Sequence, residues 1–151
     1  MRDRPRSLLI AAAVVLGLTL PGGACSVSVE DGDETRRTPS REAREYCALV
    51  ERFYGRLDEF VRRAQEQLGP DADQAALDQR LVGFIRENQE LFEQLAGVAP
   101  AAIASDAATQ ATAFEQVAVQ GDLSPLETPA ARAAEARTVE YEAEECGIVV
   151  E

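Results

Sequence analysis

Residues 41–68 read REAREYCALVERFYGRLDEFVRRAQEQL. Within them Cys47, Val50, Tyr54, Leu57, Val61, Ala64 and Leu68 are spaced by alternating steps of three and four. That spacing draws one apolar stripe down one side of an α-helix. Tyr46, Leu49, Phe53 and Phe60 widen the stripe, as a bundle helix requires. Ser40 is a good N-cap, and Glu42 and Glu45 lie in the first turns, where the helix dipole favours negative charge. On the outside, Asp58/Arg62 and Glu59/Arg63 sit at i,i+4, a spacing worth about 0.3–0.5 kcal/mol per pair. Gly69-Pro70 ends the helix, because glycine accepts a positive φ and proline forbids continuation.

The same punctuation sets out three further helices. The second starts at Asp71 or Asp73, where Asp71 and Gln74 have capping-box spacing, and runs to Gly97. Its stripe is Leu77, Leu81, Phe84, Asn88, Leu91 and Leu95, flanked by Ile85 and Phe92. Asn88 interrupts that seam and reads as a boundary residue that hydrogen-bonds locally or fixes register, rather than as a polar ligand contact. The third helix begins around Pro100, turns Ile103, Ala107, Ala111, Phe114 and Val117 inward, carries Thr109 and Thr112, and ends at Gly121. Residues 122–127, with Pro125, form a loop. The fourth has Thr128 as N-cap and Pro129 at its first position, with Ala133, Ala136, Val139, Ala143 and Cys146 expected inward. Gly147 caps it, and Ile148 folds back on the last turn in the Schellman manner.

No strand-like alternation occurs, so the expected fold is all-α, and short connections favour an up-down-up-down four-helix bundle. That topology brings the start of the first helix and the end of the fourth to one end, where a Cys47–Cys146 disulfide can join them. The alternative is a pair of reactive thiols. It lacks a C-x-x-C motif and any His or Lys that would lower a thiol pKa.

Ahead of the bundle, residues 1–24 have the layout of a signal peptide. Arg2, Arg4 and Arg6 precede the uncharged apolar run 8–20, and Pro21-Gly22-Gly23-Ala24 follows. The run is shorter than the ~20 residues a spanning helix needs. Cys25 comes next. These residues resemble a bacterial lipoprotein leader, with Gly23 and Ala24 at the small positions and Cys25 as the residue that receives lipid on its sulfur. Gly22 departs from the pattern, which has an aliphatic residue there, and ordinary secretion with cleavage near Ala24 is the alternative. Cysteine arithmetic favours lipidation: three cysteines leave one unpaired in an exported chain, and lipid on Cys25 leaves an even pair.

Residues 25–39 are polar and charged, with Glu30-Asp31-Gly32-Asp33-Glu34 at their centre, and read as a flexible tether. The Asp-x-Asp spacing there lacks the rest of a calcium loop. Stretched, the tether reaches about 45 Å. Relaxed, it spans ~20 Å. Residues 40–148 are then the helical domain and 149–151 a tail.

Composition narrows the chemistry. All basic side chains are arginine, and there is no histidine. The net charge is −12, and −14 once the three arginines and one aspartate of the leader are removed. Such a surface repels phosphate backbones and anionic lipid headgroups, so nucleic acid is not an expected partner. Without His or Lys the usual bases for a nucleophile are missing. Ordinary zinc sites lack their ligands. No catalytic residue, metal site or cofactor is therefore expected. Glu140, Glu142, Glu144 and Glu145 crowd the last helix and read as a solvated face rather than a cation site or a glycosidase-like acid pair.

The cysteine in the first long helix, the Ala99-Pro100 helix start and the closing Cys146-Gly147 resemble a loose class of small actinobacterial exported proteins and lipoproteins. The resemblance covers roughly residues 46–148 and implies a helical domain at the cell surface, with no activity attached. The expected role is a non-catalytic envelope lipoprotein on the outer face of the membrane, held there through Cys25 and acting by contact with another component. Its outer loops, 69–73 and 121–128, are the accessible tips. The alternative is a carrier that opens around a small apolar ligand or lipid. An enzyme using carboxylates alone is the third reading.

Overall fold

The computed structural model describes residues 39–69 and 73–148. The leader, Cys25, residues 26–38 of the tether, Pro70, Asp71 and the tail lie outside the described residues. Five α-helices follow in order: α1 (Ala43–Leu68), α2 (Gln74–Glu87), α3 (Gln89–Gly97), α4 (Ala104–Gln120) and α5 (Pro129–Tyr141). A 3₁₀ turn, Ser124–Glu127, precedes α5, and a π turn, Glu142–Cys146, continues it. There is no strand among the described residues.

Local chemistry accounts for the helix ends. Ser40 Oγ accepts the Ala43 N–H at 3.1 Å, and Asp73 accepts the Ala76 N–H at 2.7 Å, so Asp73 is the side chain that caps α2. Thr128 Oγ1 accepts the Ala131 N–H at 3.2 Å, with Pro129 in the first turn of α5. Gly121 closes α4 in the left-handed region, at φ 80° and ψ 20°. Gly147 does the same after the π turn, and the Ile148 N–H returns to the Glu142 carbonyl at 3.2 Å.

Two apolar clusters hold the helices together. One joins Ala43, Tyr46, Cys47 and Val50 of α1 to Ile103 and Cys146, with Tyr141 and Ile148 packed against it. The other joins Val82, Phe84 and Ile85 of α2 to Phe92 of α3 and Val117 of α4, with Phe53 and Phe60 of α1 alongside. Phe92 stacks on Phe114 at 4.0 Å between ring centroids, which fixes α3 against α4. Val82, Ile85 and Val117 are almost wholly buried, and each such side chain stabilises the fold by about 1.5–3 kcal/mol relative to exposure. Helix α4 packs on α2, α3 and α5, whereas α1 meets α2, α3 and the π turn.

The Cys47–Cys146 disulfide is formed, with Cα atoms 5.3 Å apart and 99 residues of separation. Closing a loop of that length removes up to about 4–5 kcal/mol of unfolded-state entropy in the chain-entropy picture. It ties α1 to the π turn, the contact through which α1 meets the end of the chain.

Four local expectations are corrected. The second helix is two helices, because the Asn88 amide turns back: its N–H meets Ile85 O at 3.2 Å, and its Nδ2 donates to Phe84 O at 2.8 Å. Helix α4 starts at Ala104 rather than near Pro100. Residues 101–103 form a turn there, closed by Ile103 N–H on Pro100 O at 2.9 Å. The inner face of α5 is Ala131, Ala134 and Thr138, while Ala133, Ala136 and Ala143 face solvent. Alanines on both sides of α5 carry almost no directional information. The face is instead set by Thr138, whose hydroxyl accepts from Gln110 Nε2 of α4 at 2.8 Å. Finally, Arg62 pairs forward with Glu66 at 2.9 Å rather than back with Asp58, while Glu59 and Arg63 pair as spaced.

Candidate functional site

Polar side chains from different helices meet between α4 and α5, where Arg137 forks onto Asp106 and Gln110 donates to Thr138, and at two further places. The first is the joint between α1 and the π turn. Tyr46 and Tyr54 lie eight residues apart in α1, about two turns, so both rings face the same way. Tyr46 donates its hydroxyl to Glu142 Oε1 at 2.9 Å, and Tyr54 donates to Oε2 at 3.0 Å. Tyr141 sets its ring edge-on to Tyr46, with centroids 6.1 Å apart. Glu142 was expected on a solvated face with Glu140, Glu144 and Glu145. It is half-buried instead, because it lies four residues after buried Thr138, on the inner side of α5, and keeps helical geometry there with its N–H on Thr138 O.

Burial raises the Glu142 carboxyl above the ordinary glutamate range, and the two tyrosine hydrogen bonds oppose that rise without cancelling it. The same burial, then the neighbouring carboxylate, pushes the Tyr46 and Tyr54 phenols far above their usual range. Every acceptor oxygen of Glu142 has a partner, and among the described residues no buried side-chain nitrogen or oxygen lacks one. Chemically the joint is a polar clasp beside the disulfide, in which each carboxylate oxygen of Glu142 accepts from one tyrosine.

The second place is an open groove of about 550 Å³ between α1 and α2. Arg56, Glu59 and Arg63 line it from α1, and Arg80 and Glu87 from α2. Its floor is Phe60, Phe84 and Ala64, with Gly83 beside them. Asn88, 6% exposed, sits at one end and accepts from Arg56 Nη1 at 2.7 Å. One carboxamide thus caps α2 and positions a guanidinium at the groove. This agrees with reading Asn88 as a local hydrogen-bonding residue, and adds a role the helical spacing did not show. Arg63 bonds Glu59, and Arg80 bonds Gln67 across the two helices.

Of the residues singled out from the sequence, Cys47 and Cys146 are brought together, and Cys25 lies outside the described residues. The loop after α4 is the 3₁₀ turn with Pro125 buried in it, and at the other tip only Gly69 and Asp73 are described. Among the described residues no group of His, Cys, Asp or Glu is arranged to hold a metal ion. The arginines of the groove carry no motif in the sequence. The available signal was Arg56 and Arg63 one heptad apart, hence on one face of α1. Comparison with protein-family models, with curated proteins and with solved structures finds no match to the chain.

Proposed function

We propose that the chain is an exported envelope lipoprotein, anchored to the outer face of the membrane by lipid on Cys25. Its helical domain acts by contact with another envelope or extracellular component rather than by catalysis. The observation that carries this reading is the pairing of Cys47 with Cys146. A disulfide suits an oxidising compartment. It also leaves Cys25, directly after the apolar leader, as the one cysteine without a partner. In the same proposal α2 and α3 count as one broken rod, and the domain is an up-down-up-down four-helix bundle. The loops at 69–73 and 121–128 are then the tips that meet the partner.

The non-catalytic part rests on side-chain chemistry. The chain has no His or Lys to serve as a base, and of the acids drawn inward Glu142 is held by two tyrosines and Asp106 by Arg137. The groove is lined by arginine and glutamate over a small phenylalanine floor, which favours surface contact over enclosing an apolar ligand.

Bacterial cells expressing the full chain and fed a clickable palmitate analogue test the anchor. Wild type should label and stay with the membrane fraction, and Cys25→Ser should do neither. An unlabelled wild-type chain that ends at the leader junction and appears in the medium would show ordinary secretion instead. Crosslinking and pull-down of the lipidated protein test the contact role; no enriched partner across several growth conditions would count against it.

A further inference from the structure

We propose that the groove between α1 and α2 is a binding site for an organic phosphate. Arg56, Arg63 and Arg80 hold the phosphate, and the organic body lies on Phe60 and Phe84. The inference concerns this groove alone and requires neither export nor the anchor.

Its volume, about 550 Å³, falls within the ~300–1,000 Å³ of small-ligand sites. The floor is apolar and firm: the Phe60 and Phe84 rings pack at 4.8 Å between centroids. Gly83 lines the groove, and a Cβ built on it meets nothing within 4 Å, so the sequence leaves this part of the wall without a side chain.

The rim carries the specificity. Three guanidinium groups from two helices face one space, against two carboxylates, Glu59 and Glu87. The local balance is positive on a chain of net charge −12. Arg56 is the best fixed of the three. Buried Asn88 takes one of its N–H groups at 2.7 Å, which leaves four of the five donors of a guanidinium for a ligand. Arg63 and Arg80 bond Glu59 and Gln67 on the exposed surface, so a more highly charged acceptor can displace those partners. A carboxylate has two oxygens and is satisfied by a single guanidinium fork. A phosphate monoester presents three terminal oxygens, which suits several donors arriving from two facing helices. A polyanion such as nucleic acid would meet the negative charge of the rest of the chain, whereas a small phosphate meets only the groove.

The phosphate could belong to a soluble metabolite or to a lipid headgroup, and the test separates the two. The full chain is titrated with phenyl phosphate and with inorganic phosphate, followed by calorimetry. Saturable binding is expected, with phenyl phosphate about tenfold tighter because its ring covers the phenylalanine floor. Arg56→Lys keeps the charge but loses the fork, and should weaken phenyl phosphate by about fivefold or more. Gly83→Leu fills the wall while improving helix propensity, so binding should vanish while the melting temperature holds or rises. That variant separates a blocked site from a damaged fold. Vesicles containing phosphatidic acid form the second arm. Sedimentation that exceeds Gly83→Leu and is displaced by phenyl phosphate assigns the source to a headgroup. Phenyl phosphate binding without it assigns a soluble ligand. No saturable response to any of the three probes, or an equal response in wild type, Arg56→Lys and Gly83→Leu, overturns the proposal.

Discussion

Tyr46 donates a hydrogen bond to Glu142 at 2.9 Å, and the residue after Tyr46 is the cysteine bonded to Cys146. A covalent link and a buried polar link therefore span the same joint between α1 and the end of the chain. Together they define where the last helix stops and how it meets the first.

Removing the covalent link tests how much of the fold it holds. Cys47→Ser with Cys146→Ser should lower unfolding stability by about 2–5 kcal/mol, since the open chain regains its loop entropy. Urea unfolding followed by circular dichroism gives the number. An unchanged midpoint would mean the packing of Tyr46, Val50 and Ile103 holds the joint alone.

Removing the polar link should cost less, and unevenly. Tyr54→Phe or Tyr46→Phe strips one donor from a half-buried carboxylate, which costs about 1.5–3 kcal/mol for a hydrogen bond to a charged group. The double variant should cost less than the sum, because Glu142 then takes up a proton or turns to solvent. Additive losses would indicate that the tyrosines act only as packing groups.

The pH dependence follows from the raised Glu142 carboxyl. A raised folded-state value means the native protein holds this proton more tightly than the unfolded chain. The stabilisation is complete below the ordinary glutamate value of about 4.3 and is lost as pH rises through the folded value. Relative to Glu142→Gln, wild type should therefore lose melting temperature as pH rises from about 4 toward 7. A gain over that range would contradict the burial of this group.

At high pH the tyrosines report on the same joint. Tyr46, Tyr54 and Tyr141 are all raised, with burial the first cause in each. Stability held by the protonated phenols is present below the ordinary value of about 10 and falls as pH rises beyond it. Ultraviolet titration should show Tyr46 and Tyr54 ionising together with unfolding. Early ionisation of either, with helix content intact, would place that phenol in water.

Two glycine replacements should move stability in opposite directions. Gly121 has φ 80°, and its Cβ would come within 3.1 Å of Arg86 Nη2, so Gly121→Ala should destabilise by about 1–2 kcal/mol. Gly55 lies inside α1 with nothing near its Cβ, so Gly55→Ala should stabilise by about 0.5–1 kcal/mol. Thermal melts of the two variants give both signs in one experiment.

The strongly periodic parts of the chain were legible and the alanine-rich part was not. Cys47, Val50 and Ala64 of the α1 stripe are buried, and Leu57, Val61 and Leu68 partly so, because large side chains at helical spacing leave one way to face. The caps at Ser40 and Thr128 and the left-handed Gly121 and Gly147 were also legible, since each meets a local need of the backbone. In α5 the expected face was wrong by about one residue. Ala131 and Ala133 differ by a single methyl's burial, too little for periodicity to choose between them. Glu142 looked like its neighbours Glu140, Glu144 and Glu145, and the hint lay elsewhere, in two tyrosines on one face of α1 that needed an acceptor.

By itself, then, the sequence determined that the domain is helical, where most of its helices lie and many of their ends, because these follow from short-range sterics, capping and hydrophobic spacing; the Cys47–Cys146 pairing was expected only through the order in which those helices would pack. Tertiary structure alone decided which side of α5 packs, that Glu142 turns inward, and that Arg56, Arg63 and Arg80 share one groove. Those outcomes depend on which surfaces meet across long stretches of chain, and no local spacing encodes that.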